Sequence, residues 1–326
     1  MNFETKTKEE LVQNLMAFNG DVQYQNIQAT PAFSQCARLF SNGYSLGNLK
    51  DTSVDPLNPP DLLDSSGNPV PIVPDKGIML ASGKPENFNG QDGDKQTTAF
   101  SYVNATDSKD LDLQNMVKPY TTYDACWIKF QFKCTSEAYV PVVSFNYVFG
   151  SEEYYEYVNS AFNDAFAFFL NGVNIARLPD TETATDIVSI NNVNYNVNTK
   201  YFHGNDPGQN QVGTGSGLDP TGVLTKVYYP NVEADGITSK LTARGNPKTV
   251  TGGDDGWNTI KLVVADVGDA ILDSWVLLES GTFTCVDITS APSVSSEPSS
   301  SPPSRHPTAK PTNKPTSKVR NMRMHT

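Results

Sequence analysis

Two groups of closely spaced carboxylates are the residues of this sequence best suited to chemistry. Glu152 and Glu153 follow one patterned strand, Asp164 immediately precedes the next, and a second acidic turn runs over 266–273. Calcium is held by about six to eight oxygen atoms from carboxylates, carbonyls and water in flexible loops. The spacing predicts a calcium site in at least one loop; the candidate ligands are Glu152, Glu153, Asp164, Asp266, Asp269 and Asp273. The alternative is that these acidic loops are solvated and only form turns.

Catalysis by the same residues is poorly supported. Glu152 and Glu153 are adjacent, so in an extended chain they point apart and cannot flank one glycosidic bond as an acid–base pair. His203 lies in an Asn/Gly-rich segment, where we expect a solvated loop histidine. No Gly-x-Ser-x-Gly elbow, Walker loop or dinucleotide-binding glycine motif is present. We predict that the protein is not an enzyme.

Three tyrosines beside the first acidic loop form a second kind of candidate site. Exposed Tyr154, Tyr155 and Tyr157 could stack on sugar rings or form a protein-binding surface. The alternative is that they cover the sheet edge and bury their rings. Separately, Asn104-Ala105-Thr106 is an N-glycosylation sequon, which is usable only if the protein enters a secretory pathway.

The elements that position these residues are two alternating strands. In residues 140–149, Val143, Phe145, Tyr147 and Phe149 fall on one face, because side chains alternate along a strand. In 165–171, Phe166, Phe168 and Leu170 share a face in the same way. We predict that the two strands form a hairpin, with the carboxylates converging at one end.

The remaining pattern predicts an all-β fold, an antiparallel sandwich or jelly roll. A single N-terminal helix is predicted over 7–19, with Thr7 and Glu10 as a capping box. Turn-rich segments separate further short strands, predicted near 77–83, 126–134, 186–190, 223–229, 237–243, 259–265 and 273–285. We predict one β domain over 1–289, with a long surface insertion at about 51–75 that is rich in Pro, Asn and Gly.

Four cysteines are candidates for disulfides. Cys126 and Cys134 lie on one face of a single predicted strand, which at about 3.3 Å per residue separates them by roughly 26 Å. A disulfide requires Cα atoms within about 7 Å, so a bond between these two is disfavoured. Pairing of each with Cys36 or Cys285 remains open, as do buried free thiols.

The chain changes character after residue 289. Residues 290–326 are rich in Ser, Pro, Thr and Lys, and such a composition predicts a disordered, extended tail that serves as a spacer for attachment. The tail is basic, so the rest of a chain whose net charge is -12 is more acidic than the whole. An acidic body repels nucleic acid and anionic membranes, which excludes nucleic acid as an expected partner.

The sequence shows neither a membrane-spanning segment nor a signal peptide. No apolar run approaches the roughly 18 residues needed to span a bilayer, so no transmembrane segment is predicted. The first residues, MNFETKTKEE, contain no apolar signal-peptide core. An extracellular location would therefore imply a leader that this sequence does not show.

Several blocks, in order along the chain, resemble the choice-of-anchor L domain family. The distinctive ones are Phe145–Gly172 (SEEY…FND…FF-L-G) and Lys261–Glu279, and Gly77–Gly83 is similar to another strand of the family. Weaker similarity is found in these segments: Glu10–Leu15, Val188–Asn194, Asn205-Asp206, Asp235-Gly236 and Leu241-Thr242. The resemblance covers roughly residues 8–285.

The resemblance implies a β-rich, secreted or cell-surface protein without enzymatic activity. We therefore expect a non-catalytic extracellular module for adhesion or for association with a wall or matrix. The expected partners are extracellular matrix, cell-wall polysaccharide or a surface protein. The alternative is a carbohydrate-binding or carbohydrate-active protein, lectin-like or hydrolytic. The chain departs from the family pattern in its four cysteines, its 51–75 insertion and its Pro/Thr/Lys-rich tail.

Overall fold

The computed structural model describes residues 1–18, 20–43, 72–89, 108–135, 141–178, 187–204, 232–249 and 255–287. Met1–Ser290 forms one compact unit. The sequon at Asn104, most of the 51–75 insertion and the tail from residue 290 lie outside the described residues, so their predictions stand as made.

The described residues form strands of 2 to 13 residues and a few short helices. The α-helices are α1 (Lys8–Leu15), α2 (Phe33–Cys36) and α3 (Leu111–Met116), and two 3-10 helices span Pro85–Phe88 and Thr199–Tyr201. The strands are β1 (Asn2–Glu4), β2 (Val22–Ala29), β3 (Ala37–Ser41), β4 (Gly77–Ala81), β5 (Thr122–Cys134), β6 (Pro141–Ser151), β7 (Ala165–Leu170), β8 (Val173–Asn174), β9 (Phe202–Gly204), β10 (Gly236–Thr238), β11 (Leu241–Gly245), β12 (Asn258–Val267), β13 (Ser274–Glu279) and β14 (Thr284–Asp287).

The strands build two antiparallel sheets. The larger sheet has nine strands in the order β1-β3-β4-β13-β6-β10-β9, with β11 and β14 also paired to β6. The smaller sheet has five strands in the order β2-β5-β12-β7-β8. Their apolar faces pack against each other, so the prediction of an all-β antiparallel sandwich is confirmed.

The predicted hairpin is wrong, because its two strands lie in different sheets. Strand β6 is in the nine-stranded sheet and β7 is in the five-stranded sheet. Their aromatic faces meet across the core: the ring centroids of Phe145 and Phe168 are 4.9 Å apart, and those of Tyr147 and Phe166 are 5.1 Å apart. Alternation assigned the faces correctly, but it cannot distinguish neighbours in one sheet from partners in two sheets.

Both sheets are also covered on their outer faces. Val148, on the opposite face of β6 from Tyr147, joins a second apolar cluster with Trp275 and Phe88. Ile72 and Val73 belong to that cluster and are fully buried. The end of the predicted surface insertion is therefore core, because its apolar pair has a sheet face to cover. On the five-stranded sheet, α3 covers part of the outer face.

The helix prediction is correct in its start and wrong in its extent. Thr7 Oγ1 accepts a hydrogen bond from Glu10 N at 3.2 Å, and Thr7 N donates to Glu10 Oε2 at 2.9 Å, which completes the capping box. The helix ends at Leu15, four residues earlier than predicted, where Met16 becomes extended and bridges Phe283. The fold also contains the short helices α2 and α3, so the prediction of a single helix is wrong.

Two of the predicted strands are each divided into two. Residues 237–243 belong to β10 and β11, which pair with different parts of β6, and 273–285 belong to β13 and β14. Of the strand predicted near 186–190, the described residues 187–190 make isolated bridges, at Ile187 and Ser189. Such divisions follow from tertiary pairing, which the local pattern does not contain.

All four cysteines form disulfides that connect β5 to the rest of the fold. Cys36 bonds Cys126 with a Cα–Cα distance of 5.9 Å, and Cys134 bonds Cys285 with a Cα–Cα distance of 5.7 Å. The expected absence of a Cys126–Cys134 bond is therefore confirmed. The second bond joins the end of β5, in one sheet, to β14 in the other.

Candidate functional site

The two acidic loops lie together at one end of the sandwich. One loop leads from β6 to β7 and the other from β12 to β13, and each crosses from one sheet to the other. Ser151 pairs with Ser274 in the nine-stranded sheet, and Ala165 pairs with Ala265 in the five-stranded sheet. Because these strand ends are neighbours, the carboxylates of both loops form one group, which we call the acidic cluster: Glu152, Glu153, Asp164, Asp266 and Asp273.

Asp164 connects the two loops. Its side chain is fully buried; Oδ1 accepts a hydrogen bond from Val267 N at 2.8 Å, and Oδ2 accepts one from Ser274 Oγ at 2.8 Å. Both carboxylate oxygens thus hold the far loop against the start of β7. The side chain has a clear role in positioning the acidic cluster.

Glu152 and Asp273 connect the same loops a second time. Glu152 Oε2 accepts from Asp273 N at 2.7 Å, and Glu152 N donates to Asp273 O at 3.1 Å. A Cβ added at Gly83 would lie within 1.7 Å of Asp273 Oδ2, so the carboxylate of Asp273 fits only against a glycine. The structure therefore brings β4 to the acidic cluster as well.

The buried oxygen atoms of the acidic cluster that have no hydrogen-bond partner include Glu152 Oε1, Glu153 Oε2 and Asp266 Oδ1. Glu152 is 3% exposed, and Glu153 and Asp266 are each 2% exposed. A buried polar atom without a partner is costly, and a buried charge more so. These atoms require a proton, a cation or water.

Burial dominates the ionisation of the acidic cluster. Removal from water raises the pKa of Glu152 to about 9, and it also raises the pKa of Glu153, for which Asp164 adds repulsion. The pKa of Asp164 is raised by burial, although the hydrogen bonds from Ser274 and Val267 oppose this. The pKa of Asp266 is raised well above its usual value by burial and by Asp164. Repulsion and desolvation thus favour neutralisation of the group.

Asp269 differs from the other predicted ligands. It is partly exposed, and its Oδ1 accepts a hydrogen bond from Ile271 N at 3.1 Å, as in a turn. Its pKa is raised by partial burial, and its charge in turn raises the pKa of Glu153. Asp269 therefore lies at the rim of the acidic cluster.

Sequence reasoning missed three further acids nearby. Asp124 and Glu233 are each 4% exposed, and Asp235 is 9% exposed. The charge of Glu233 raises the pKa of Glu152, and that of Asp124 raises the pKa of Asp266. Asp235 precedes β10, which pairs with the end of β6 at Ser151. The one sequence signal for this segment is the similarity of Asp235-Gly236 to the family pattern.

The side chains of the acidic cluster do not surround a common point. Within the described residues, no three Asp, Glu, His or Cys side chains are arranged closely enough to hold a metal ion as they stand. The adjacent Glu152 and Glu153 are both buried and both influenced by Asp164, although an extended chain would direct them apart. The chain leaves β6 after Ser151, and this turn lets both enter one group.

The three candidate tyrosines have different environments. Tyr154 is fully buried, and its hydroxyl donates to Val193 O at 2.7 Å. Tyr155 is partly buried, and its ring stacks on that of Tyr195 with centroids 5.7 Å apart. Tyr157 is 36% exposed. Of the three, Tyr157 has the most ring surface available to a partner.

His203 is buried, against the expectation of a solvated loop histidine. It lies in β9, is 2% exposed, and its Nε2 is 2.8 Å from Ser239 Oγ. Burial lowers its pKa to about 4. The imidazole is therefore neutral at pH 7. It is buried although β9 is the last strand of the nine-stranded sheet, where it pairs with β10.

Comparison with known proteins identifies the family. The choice-of-anchor L domain matches residues 1–284 of the 326-residue chain. The chain belongs to the choice-of-anchor L domain family. Choice-of-anchor L membership indicates a surface-associated β-rich module, with an extracellular or surface location and no enzymatic activity known for the family. No curated protein and no solved structure matches the chain. Among the described residues, no helix is both long and apolar enough to cross a membrane.

Proposed function

We propose that the protein is a non-catalytic extracellular or cell-surface module for adhesion or for association with a wall or matrix. The observation that carries the proposal is that all four cysteines are paired in two disulfides. Disulfides form and persist in oxidising compartments such as the cell exterior. Together with membership of the choice-of-anchor L family, they support a function outside the cell.

Burial of the acidic residues supports the non-catalytic part of the proposal. Glu152 and Glu153 are 3% and 2% exposed, so a glycosidic bond cannot reach their carboxyl groups in this conformation. Asp164 uses both carboxylate oxygens to hold the β12–β13 loop. A hydrolase needs carboxyl groups that flank the scissile bond of a bound sugar.

A binding and turnover assay tests this function. The full chain, with its disulfides formed, is applied to immobilised cell-wall polysaccharides, extracellular-matrix proteins and intact cell surfaces, and any released sugar is measured. We expect retention on at least one surface and no hydrolysis product. Release of product that disappears in Glu153→Gln would show that the protein is an enzyme.

A second candidate function is carbohydrate binding, for which the exposed ring of Tyr157 is the specific observation. Aromatic rings at the surface stack on the apolar faces of sugars. On a glycan array, Tyr157→Ala should abolish a signal that depends on stacking. Tyr120→Ala is a matched control, because Tyr120 is also 36% exposed. Equal binding by both variants would exclude Tyr157 as the contact.

Calcium is the cation that we propose for the acidic cluster. The cluster offers hard oxygen donors from two loops, and buried oxygen atoms of Glu152, Glu153 and Asp266 lack a hydrogen-bond partner. A ligand that binds only the native state stabilises it by about 2.7 kcal/mol at 100 times its Kd. The melting temperature should therefore be higher in calcium than in chelator, with magnesium giving a smaller rise. An unchanged melting temperature would exclude a calcium-stabilised fold.

A further inference from the structure

The outer face of the five-stranded sheet carries polar side chains on β2 and on the second half of β5. Side chains alternate along a strand, so every second residue of β5 points away from the buried core. Strand β2, at the edge of the same sheet, exposes its three glutamines. The side chains that share this outer surface are called the polar face: Gln23, Gln25, Gln28, Lys129, Gln131 and Lys133.

The strand register arranges the polar face in rows. Each glutamine of β2 lies opposite one polar residue of β5: Gln23 opposite Lys133, Gln25 opposite Gln131, and Gln28 opposite Lys129. Residues opposite each other in an antiparallel pair share a face, with Cβ atoms about 4.5–5.5 Å apart. An amide therefore accompanies each lysine, so an anion that reaches a lysine also meets a neutral hydrogen-bonding group.

Lys129 and Lys133 supply the positive charge of the polar face. Neither forms an ion pair with a described carboxylate. Lys261, which is paired with Lys129 in the sheet, differs, because its Nζ lies 2.5 Å from Asp110 Oδ2 and 2.7 Å from Asp112 Oδ2. Lys129 and Lys133 are four residues apart on one strand, which separates their Cα atoms by about 13 Å. The polar face thus presents two separate cations to an anionic ligand.

A tryptophan ring borders the polar face beside Lys133. Trp257 is partly exposed, and Lys133 Nζ lies 5.9 Å from the centroid of its ring. The backbone N of Trp257 donates to Asp255 Oδ1 at 3.1 Å, which holds the turn that leads into β12. Aromatic rings stack on the apolar faces of sugars, and the attraction between ring and ammonium positions the lysine. An acidic sugar would meet a ring and a cation together here.

The amide of Gln131 is oriented by its neighbours on β2. Its Oε1 accepts hydrogen bonds from Gln25 Nε2 at 3.3 Å and from Asn26 Nδ2. Because the oxygen is occupied, the amide NH2 group is left to donate to a ligand. Hydroxyl and carboxylate oxygens accept hydrogen bonds from such donors. Lys129, Gln131 and Lys133 therefore present a line of donors along one strand.

We propose that the polar face binds an acidic polysaccharide, with Lys129 and Lys133 contacting its carboxylate or sulfate groups and Trp257 stacking on a sugar ring. This inference rests on the proposed function in wall or matrix association and names the class of partner. The amides fit the many hydroxyl groups of a sugar polymer. Duplex DNA, by contrast, carries one negative charge per about 1.7 Å; it would meet two such lysines on a chain whose net charge is -12.

Binding to immobilised polysaccharides tests the class of partner. The full, disulfide-bonded chain is applied to polygalacturonate, which carries carboxylates, to carrageenan, which carries sulfates, and to neutral dextran. We expect binding to at least one acidic polymer, with an affinity that falls as salt is added, because salt screens exposed charges. The polymer that binds more tightly identifies the acid group. Equal binding to dextran, or equally tight binding to duplex DNA, would overturn the proposal.

The double variant Lys129→Gln with Lys133→Gln tests the polar face itself. Its affinity for the acidic polymer should fall at least about tenfold, since two hydrogen bonds from ionised donors are lost. The matched control is Lys76→Gln with Lys84→Gln, which removes the same charge from exposed positions on either side of β4 in the other sheet. The control should change the affinity less than about threefold. Equal losses in the two double variants would overturn the assignment.

Lysine footprinting of the wild type covers the case in which a variant does not fold. Acetylation with and without the bound polymer, read by mass spectrometry, measures how accessible each ammonium group is. The polymer should protect Lys129 and Lys133 and leave Lys76 and Lys84 unprotected. Protection of Lys76 and Lys84 without protection of Lys129 and Lys133 would place the polymer elsewhere and overturn the assignment.

The possible failures are distinguishable. If the wild type is retained on a neutral polysaccharide, a matrix protein or a cell surface but on no acidic polysaccharide, this inference is wrong and the proposed function stands. If the wild type is retained on no surface, both are wrong. If Tyr157→Ala abolishes binding to the acidic polymer and the Lys129 and Lys133 double variant does not, the polar face is not the binding surface.

Discussion

At the scale of single residues, ionisation in this protein is governed by burial. The sequence showed that the six carboxylates predicted as ligands lie in two acidic loops. The structure places both loops at the same end of the sandwich. The proximity of the two loops could not be predicted from the sequence, because it depends on each loop passing from one sheet to the other. Asp124 and Glu233 were missed for the same reason: they come from distant segments and reach the cluster only through tertiary packing.

His203 should make the protein less stable as the pH falls. In the unfolded chain its pKa is about 6.5, whereas burial lowers the folded-state pKa to about 4. Between these values the unfolded state binds more protons, so the free energy of unfolding falls by up to about 2–4 kcal/mol from pH 6.5 to pH 4. Buried carboxylates with raised pKa values act in the opposite direction, which makes a variant comparison necessary.

Urea unfolding at several pH values measures this contribution. His203→Gln cannot take up a proton, so its unfolding free energy should decline less than that of the wild type between pH 6.5 and pH 4. Parallel curves for the two proteins would show that His203 is not the group responsible.

At the scale of elements, alternation predicted which residues face the core but not which sheet each strand joins. The core-facing residues of β6 and β7 were both predicted correctly. The prediction that the two strands pair in one sheet was wrong. Phe145 and Phe168 look like cross-strand neighbours in the sequence, yet their rings pack against each other between the two sheets, tilted by 56°. Both arrangements bury the same side chains, so burial patterns cannot separate them. The capping box of α1, by contrast, is a purely local signal and was predictable.

Phe168 is the side chain on which this inter-sheet packing depends most clearly. It is fully buried, with ring centroids 4.9–5.1 Å from those of Phe145, Tyr147 and Phe166. Phe168→Ala should reduce the unfolding free energy by about 3–5 kcal/mol, as large cavities in cores do. Val173→Ala is the control: Val173 is 57% exposed, and the change should be within about 0.5 kcal/mol. Similar losses in both variants, measured by urea unfolding, would contradict the inter-sheet packing.

At the scale of the whole molecule, the two ends of the sandwich are joined by different means. The acidic cluster joins the sheets where β6, β7, β12 and β13 meet, and Cys134–Cys285 joins them where β5 ends. The sequence excluded one disulfide pairing by geometry, but it left the actual partners open because cysteine spacing carries no information on sheet order.

The Cys134–Cys285 bond closes a sequence separation of 151 residues and should stabilise the fold by about 2–5 kcal/mol. In the background Cys36→Ala with Cys126→Ala, only this bond remains, so reduction should lower the melting temperature markedly. A chain with all four cysteines replaced by alanine is the control and should not respond to reductant. If the background variant also fails to respond, the bond does not stabilise the fold.

The position of Cys285 has a mechanical consequence. Strand β14 is held to the sheet by pairing with four residues of β6, and a pull on the chain beyond Asp287 would load this short strand first. Strands pulled from one end open one hydrogen-bonded pair after another. Here the opening stops at Cys285, because the covalent bond transfers tension to Cys134 at the end of β5. Strand β5 lies between β2 and β12, so the load is shared by the five-stranded sheet rather than borne by the last strand alone.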